Sequence, residues 1–293
     1  MPIERVAILG TGLIGGSVGM ALRQSGFRGT IFGWDRDPAQ AAVALSRAAI
    51  DVIAEEPLTV ASESDLVLLS GPVFSILIYI EQLASILKPH QLVTDVGSVK
   101  GVLCQHAAGR YNHSDKPGFL PGHPMAGKEV GGVANADDEL FRGAVWLFTK
   151  CADHSSMSAE AQAKAAEWRS WVQKFGCRVL DVDPDRHDEL CAWVSHLPQF
   201  VSTALSALLE EKFPHDEDLR AIGGRALREM TRLGASPYSM WRDIAHTNSE
   251  AVAATLLALE QRLTHLREHL KTPELREEFE LANRFRLGAP SKP

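Results

Sequence analysis

The residues of this chain whose types and spacing could do chemistry begin with three glycines, Gly10, Gly12 and Gly15, in the segment VAILGTGLIGGS. This spacing is the fingerprint of a dinucleotide-binding turn. The first glycine permits a tight turn, the second lets the backbone approach a pyrophosphate, and the third lets a helix pack closely on a strand. The start of that helix offers N–H groups to the phosphates. We assign Leu13 and Ile14, between the glycines, to the same site.

Asp35 is the second part of this fingerprint. It ends a second predicted strand, twenty residues after Gly15, where a carboxylate accepts hydrogen bonds from the ribose hydroxyls. A carboxylate repels a 2′-phosphate, so the sequence favours NAD over NADP as the cofactor, and the neighbouring Arg36 makes this preference less strict. The alternative interpretation is that Asp35 only caps the helix starting at Pro38.

Two candidate reactive side chains follow later strands of the same pattern. Ser98 lies in DVGSVK and His123 in a loop with the sequence GHPMAG. Ligands bind at the carboxyl edge of such a sheet, so both should lie near the nicotinamide. A histidine with a pKa of ~6.5 can accept a hydroxyl proton while hydride leaves the same carbon. Ser98 could bind a carboxamide or a hydroxyl, and Lys100 could bind a carboxylate. The alternative interpretations are that Ser98 is a helix N-cap, that Lys100 is a solvated lysine and that His123 is a structural loop histidine.

Three arginines, Arg225, Arg228 and Arg232, share one face of a predicted helix. The net charge is −7, so an anionic substrate has to be met by a local group of cations. Guanidinium groups bind carboxylates through two hydrogen bonds, which makes this face a candidate substrate site. In the empty site Glu229 or Glu129 could pair with Arg232. A solvated charged helix is the alternative.

Composition and charge exclude several classes of function. The 293 residues are 45% hydrophobic and 23% charged, as in a folded globular protein. The acidic balance argues against nucleic-acid and membrane partners, because both need a basic surface. We expect no targeting segment, no membrane span, four reduced cysteines and a cytoplasmic location. No metal site is predicted, since the spaced pair His265 and His269 lacks a third ligand nearby.

The elements that position these residues fall into two groups. Strands and helices alternate up to residue 182, which predicts an α/β domain with a Rossmann-type, doubly wound parallel sheet over residues 1–182. Residues 183–293 are predicted to be all helical, with one helix over 185–213 that Pro198 kinks or splits and another over 217–233. A leucine stripe over 249–270 is consistent with core packing or with pairing to a second copy, and we expect a homodimer.

The motifs, in this order and spacing, resemble one family: the prephenate and arogenate dehydrogenases of tyrosine biosynthesis. The matching segments are GTGLIGGS, DVGSVK at 95–100, GHPMAG at 122–127, HD at 187–188, SHLP at 195–198, and MTR at 230–232 followed by Trp241. The resemblance implies a Rossmann domain, a helical dimerisation domain, and oxidative decarboxylation of a cyclohexadienol with NAD(P)+; with the preference that Asp35 indicates, we expect NAD.

The resemblance also implies individual roles. His123 would hydrogen-bond the C4 hydroxyl of the substrate ring, Ser98 would bridge that hydroxyl and the nicotinamide, and Arg232 would hold a substrate carboxylate. His196 and Trp241 would line the pocket. We add Ser195, Gln199 and Arg228 as further candidate substrate-binding residues.

Gln199 stands where many members of the family have a histidine, so the choice between prephenate and arogenate stays open. Two other functions are considered. A β-hydroxyacid-type dehydrogenase would need a catalytic lysine in the helical half, where only Lys212 precedes the terminal helices. A non-catalytic NAD-sensing module would lack the arginine-rich pocket.

Overall fold

The strands of the N-terminal half form two sheets. The computed structural model describes residues 2–151 and 156–288. Within these ranges, a six-stranded parallel sheet has the order β3-β2-β1-β4-β5-β6. Its strands are β1 Arg5–Leu9, β2 Thr30–Trp34, β3 Val52–Ile53, β4 Leu66–Leu69, β5 Leu92–Asp95 and β6 Gly118–Leu120.

This sheet is doubly wound, as the sequence predicts. The chain runs outward from β1 through β2 to β3, then returns past β1 to β4 and continues to β6. The strand order therefore reverses between β1 and β4, which is where an open parallel sheet binds its ligand. Buried apolar layers cover both faces of the sheet, which explains why β4 reads LVLL and is buried throughout.

A second, three-stranded sheet was not predicted from the sequence. Its strands are β7 Gly122–Pro124, β8 Val145–Thr149 and β9 Arg178–Val182, with β7 antiparallel and β9 parallel to β8. His123 thus lies in a strand, paired with Leu147, and not in the expected loop. A three-residue strand with glycine and proline at its ends has too little periodicity to be recognised.

Helices surround the sheets and form all of the regular structure after Val182 that is described. The first half contains α1 Leu13–Gln24, α2 Pro38–Ser46, α3 Pro57–Ser62, α4 Val73–Ile86, α5 Gly101–Ala107 and α6 Ala159–Lys174. The second contains α7 Pro184–Cys191, α8 Leu197–Lys212, α9 Glu217–Ile222, α10 Arg225–Thr231, α11 Tyr238–Thr247, α12 Ser249–Glu268 and α13 Glu274–Leu287. None of the helices in the described residues is both long enough and apolar enough to cross a membrane.

Two of the predicted long helices are interrupted. A π-helix, Ala192–His196, separates α7 from α8, and Pro198 lies in the first turn of α8. Proline cannot donate the backbone hydrogen bond that a continuous α-helix would need there. The helix predicted over 217–233 is also broken, because Gly223 and Gly224 separate α9 from α10. Arg232 consequently lies in the 3-10 turn Arg232–Ala235.

The two halves of the chain share one apolar layer. Ile244 of α11 is buried in the same cluster as Val73 and Ile76 of α4, and Trp241 packs against that cluster. This packing fixes α11 beside the ligand-binding edge of the parallel sheet.

The expectation of four reduced cysteines is wrong for one pair. Cys104 in α5 and Cys151 after β8 form a disulfide, with their Cα atoms 4.7 Å apart across 47 residues of sequence. Their separation along the chain conceals that the fold brings them together. Cys177 and Cys191 are free and buried. Because disulfides are uncommon in reducing compartments, the cysteines do not support the expected cytoplasmic location.

Candidate active site

The glycine turn between β1 and α1 has the geometry that its sequence predicts. Gly10 has a φ of 106°, and a Cβ atom there would lie 2.8 Å from the Ser70 carbonyl carbon. A Cβ on Gly15 would collide with the carbonyl oxygen of Gly10. A Cβ on Gly12, in contrast, would meet no atom within 4 Å, so the backbone faces open space there. The turn thus leaves room for a pyrophosphate beside the start of α1.

Asp35 lies at the end of β2 and faces this turn. Its Oδ2 accepts a hydrogen bond of 2.8 Å from the Thr11 N–H, and its Oδ1 accepts one of 3.0 Å from Asp37. The side chain that caps α2 belongs to Asp37, which accepts from the Ala39 N–H. The alternative interpretation of Asp35 as the helix cap is therefore wrong.

A cavity of about 370 Å³ connects the glycine turn to the helical half. Its wall combines apolar side chains with a few polar groups, as is typical of small-molecule sites. Eight of the residues singled out from the sequence line it: Leu13, Ile14, Ser98, His123, Ser195, Gln199, Arg232 and Trp241. Ser98 does not cap α5, since Lys100 occupies the N-cap position.

His123 is held in the cavity wall by a chain of hydrogen bonds. Its Nδ1 lies 2.9 Å from His187 Nε2, and His187 Nδ1 lies 2.8 Å from Asp188 Oδ1. Burial lowers the pKa of His123 well below 6.5, and the nearby His187 and Lys100 lower it further. His123 is therefore neutral at pH 7 and able to accept a proton.

Asp188 determines which nitrogen donates in each of these hydrogen bonds. Burial raises its pKa, but hydrogen bonds from His187 and from the N–H groups of Gly101 and Lys100 outweigh that effect and lower it. An ionised Asp188 accepts a hydrogen bond from the Nδ1–H group of His187. Neutral His187 therefore has an unprotonated Nε2, which acts as an acceptor. His123 then carries its proton on Nδ1, which leaves its Nε2 unprotonated.

Lys100 is not available to a substrate. Its side chain is fully buried and forms an ion pair with Asp95 at the end of β5. Asp95 also accepts hydrogen bonds from the N–H groups of Gly97 and Gly122, at 2.8 and 3.2 Å. Both interpretations of Lys100 drawn from the sequence are wrong, because this lysine is buried and neutralises Asp95, the carboxylate that connects the end of β5 to Gly122 of β7.

The π-helix places Ser195 at the cavity and His196 behind it. His196 is fully buried, its ring packs edge-on against Trp241 with the centroids 5.9 Å apart, and its Nδ1 lies 3.4 Å from the Asn248 amide. Burial lowers the pKa of His196 to about 4. His196 thus supports Trp241 and is not part of the cavity wall, contrary to the expectation from the sequence.

Gln199 has a defined amide orientation. Its Nε2 donates to the Leu233 carbonyl at 2.7 Å and to Thr203 Oγ1 at 3.1 Å. A carbonyl can only accept, so the nitrogen has to face Leu233. The Oε1 atom is buried and has no hydrogen-bond partner. This acceptor is therefore unpaired and is covered by the surrounding protein.

The three arginines do not form one cationic surface at the cavity. Arg232 reaches the cavity and pairs with Glu129, whereas Arg225 is exposed and pairs with Glu229. Arg228 donates to the Gly223 carbonyl at 3.3 Å and is not among the residues that line the cavity. The structure therefore separates Arg228 from the other predicted substrate-binding residues, because α10 ends at Thr231 and Arg232 begins the 3-10 turn that follows.

Comparison with known proteins identifies the family. The nucleotide-binding domain model of prephenate dehydrogenase matches residues 18–168, and the dimerization domain model matches residues 183–286. The chain belongs to the prephenate dehydrogenase family.

Curated members of the family cover most of the chain. The prephenate dehydrogenase of Bacillus subtilis is 30% identical over 85% of this chain and 65% of its own length. The chain thus spans slightly less than two thirds of that relative. The cyclohexadienyl dehydrogenase of Zymomonas mobilis is also 30% identical, over 86% of this chain and 84% of its own.

Solved structures of the family share the whole fold. Prephenate dehydrogenase from Aquifex aeolicus, in complex with hydroxyphenyl propionate and NAD+, has a TM-score of 0.84 at 30% identity and covers 98% of both chains. Arogenate dehydrogenase from Synechocystis has a TM-score of 0.73 at 27% identity, over 96% of this chain and 98% of its own.

Sequence reasoning missed part of this site. It noted His187 and Asp188 as a motif but gave them no function, and it did not connect Cys191 with His123. The signal was present: His187 and Cys191 are four residues apart and so share a helical face. What the sequence could not show is that this face points at β7.

Proposed function

We propose that this chain catalyses the NAD-dependent oxidative decarboxylation of prephenate, arogenate or both. The observation that carries the proposal is the hydrogen bond between His123 and His187 in the wall of a cavity that also contains Arg232 and the glycine turn. The cavity therefore brings together a neutral base, a cation that can bind a carboxylate and the start of the cofactor-binding helix. The Aquifex prephenate dehydrogenase, solved in complex with hydroxyphenyl propionate and NAD+, supports the same reaction.

In this mechanism His123 is the general base. Its Nε2 accepts the proton of the C4 hydroxyl, and the chain through His187 to Asp188 holds the ring in the tautomer that can do so. The glycine turn and Asp35 would hold NAD+, which would supply the acceptor for the C4 hydride. Ser98, on the same wall, would hydrogen-bond the hydroxyl and orient it. The oxidised ring then loses its C1 carboxylate as CO₂ and becomes aromatic, which makes the reaction irreversible.

Arg232 would bind a carboxylate of the substrate. In the empty cavity it is paired with Glu129, so an incoming carboxylate has to displace that side chain. Exchange of one carboxylate for another keeps the guanidinium paired throughout. Trp241 and Ser195 would complete the pocket, and His196 would keep the Trp241 ring in place.

The two alternative functions find less support. Lys212, the lysine that a β-hydroxyacid-type mechanism would need, is the exposed last residue of α8 and does not line the cavity. A solved 3-hydroxyisobutyrate dehydrogenase is 15% identical with a TM-score of 0.52, which indicates a shared fold only. A sensing module would not need the hydrogen-bonded base next to the arginine.

A homodimer assembled through residues 183–293 is part of this proposal, with residues 1–182 as the cofactor domain. The family model over residues 183–286 is named a dimerization domain. Large apolar side chains of α12, of α13 and of the turn between them are exposed in the single chain: Leu256, Leu257, Leu263, Leu270, Phe279 and Phe285. Analytical ultracentrifugation should give twice the mass of one chain, and a monomer at micromolar concentration would contradict this part. The expected cytoplasmic location requires cell fractionation.

The central test is a measurement of NADH formation with each substrate. We expect turnover with prephenate, arogenate or both in the presence of NAD+, and slower turnover with NADP+. His123→Asn provides the control, since it should retain NAD+ binding by calorimetry. Binding of NAD+ without turnover of either substrate by the wild-type protein would overturn the proposal in favour of the sensing module.

A further inference from the structure

Behind the catalytic cavity, three side chains converge on one point. His123 Nδ1, His187 Nε2 and Cys191 Sγ all lie within 4.8 Å of one another. The sulfur is 3.8 Å from the His123 nitrogen and 3.6 Å from the His187 nitrogen, and the two nitrogens are 2.9 Å apart. All three residues are buried, and Cys191 is only 1% exposed. The hydrogen-bonded relay described above does not need this thiol.

These distances are close to those of a tetrahedral zinc site. With Zn–N bonds of ~2.05 Å and a Zn–S bond of ~2.3 Å, neighbouring ligand atoms lie about 3.3 Å apart for two nitrogens and about 3.6 Å apart for nitrogen and sulfur. Both sulfur distances already agree, and the two histidines need to separate only slightly. A set of two imidazoles and one thiolate also has the donor softness that Zn²⁺ prefers.

The surroundings supply what such a site needs. Asp188 accepts a hydrogen bond from the far nitrogen of His187, and this carboxylate–histidine arrangement is typical of zinc ligands. The charge of Zn²⁺ would be balanced by the Cys191 thiolate and the Asp188 carboxylate. The nearby Lys100 is already neutralised by Asp95. His123 forms part of the cavity wall, which gives an ion and a water ligand a route inward.

We propose that His123, His187 and Cys191 form an inhibitory site for Zn²⁺ or a similar thiophilic divalent cation. The inhibition rests on the proposed role of His123 as the base. A cation on His123 Nδ1 moves the imidazole proton to Nε2, and Cys191 releases one proton to solvent as its sulfur binds. The Nε2–H group can then no longer accept a proton from the C4 hydroxyl.

Binding can be measured without any catalysis. Co²⁺ added to the chelator-treated, cofactor-free full chain should give a thiolate-to-cobalt charge-transfer band that saturates at one ion per chain. Cys177 is also buried and free, so Cys177→Ala is a matched control and should keep the band. Cys191→Ala should abolish it. Absence of the band in the wild type, or its persistence in Cys191→Ala, would overturn the site whatever the activity of the enzyme.

Inhibition is tested separately with Zn²⁺. Wild-type and Cys177→Ala activity should fall about tenfold when free Zn²⁺ is ten times its dissociation constant, and a chelator should restore it. Cys191→Ala should be active without zinc and resist this concentration. Equal inhibition of the wild type and Cys191→Ala would contradict the proposal. If Cys191→Ala folds poorly, Cys191→Ser preserves the side-chain size and should show the same resistance.

Discussion

His187 is hydrogen-bonded at both ring nitrogens, to His123 at 2.9 Å and to Asp188 at 2.8 Å. One imidazole therefore transmits the orientation of an ionised carboxylate in the helical half to the proposed base in β7. Because Asp188 is anchored by the backbone N–H groups of Lys100 and Gly101, the relay also connects α7 to the start of α5.

Replacement of the base is the most direct prediction from this relay. His123→Asn should lower kcat by about 10²–10⁴-fold, the usual contribution of a positioned general base, while the Kd for NAD+ changes little. Steady-state kinetics and calorimetry measure the two quantities. A kcat near that of the wild type would remove His123 from the mechanism.

Asp188→Asn should act through orientation alone. The amide keeps one acceptor oxygen but carries no charge, so His187 is no longer held in one tautomer. We expect kcat to fall at least about tenfold, with a smaller change in KM, because Asp188 is not among the residues that line the cavity. A variant that raises KM while leaving kcat unchanged would show that Asp188 shapes the pocket instead of directing the base.

Arg232→Ala should chiefly raise KM. A hydrogen-bonded pair with a charged group contributes about 1.5–3 kcal/mol, which corresponds to about a 10–150-fold change. Arg228→Ala is the matched control, since the same substitution on α10 removes a guanidinium that does not line the cavity. A larger effect of Arg228→Ala than of Arg232→Ala would reverse the assignment.

Gln199 should favour arogenate over prephenate. Its Oε1 has no hydrogen-bond partner, so a small movement of the side chain that exposes this buried atom would let it accept a hydrogen bond from the ammonium group of arogenate, while the keto group of prephenate offers no donor. The ratio of kcat/KM for the two substrates should therefore exceed one and should fall about tenfold in Gln199→His. An unchanged ratio in Gln199→His would locate the discrimination elsewhere.

The disulfide should be detectable by counting thiols. Without reductant, the unfolded protein should react at two cysteines, Cys177 and Cys191, and after reduction at all four. A 47-residue separation predicts a loss of about 4 kcal/mol in the free energy of unfolding when Cys104→Ala removes the bond. Four reactive thiols in oxidised protein would contradict the pairing.

The sequence predicts the framework of this site well because local rules govern it. Gly10, Gly15 and Asp35 occupy positions where backbone geometry admits few alternatives, and the structure confirms the roles of the two glycines in the turn. Ser98 and His123 follow neighbouring strands of the sheet, so their common location at its edge was also predictable.

What the sequence could not predict depends on contacts between distant segments. Lys100 follows a strand end as a substrate-binding lysine would, but a buried partner 5 residues earlier neutralises it. His196 has the sequence context of a ligand-binding residue and is nevertheless covered by Trp241. Cys104 and Cys151 gave no spacing signal at all. In each case the deciding interaction is tertiary, and no periodicity in the sequence encodes it.

The π-helix between α7 and α8 has one more consequence. It adds about one residue to a turn, which rotates everything after it by about 100° relative to an uninterrupted α-helix. His187 and Cys191 before it face the base, while Gln199 after it faces the cavity. One continuous stretch of chain thereby positions the residues beside the base and also a residue of the cavity wall, although the two groups point in different directions. Deleting Ala192 would realign those two groups and turn Gln199 away from the cavity, although no residue of the cavity wall would have been removed.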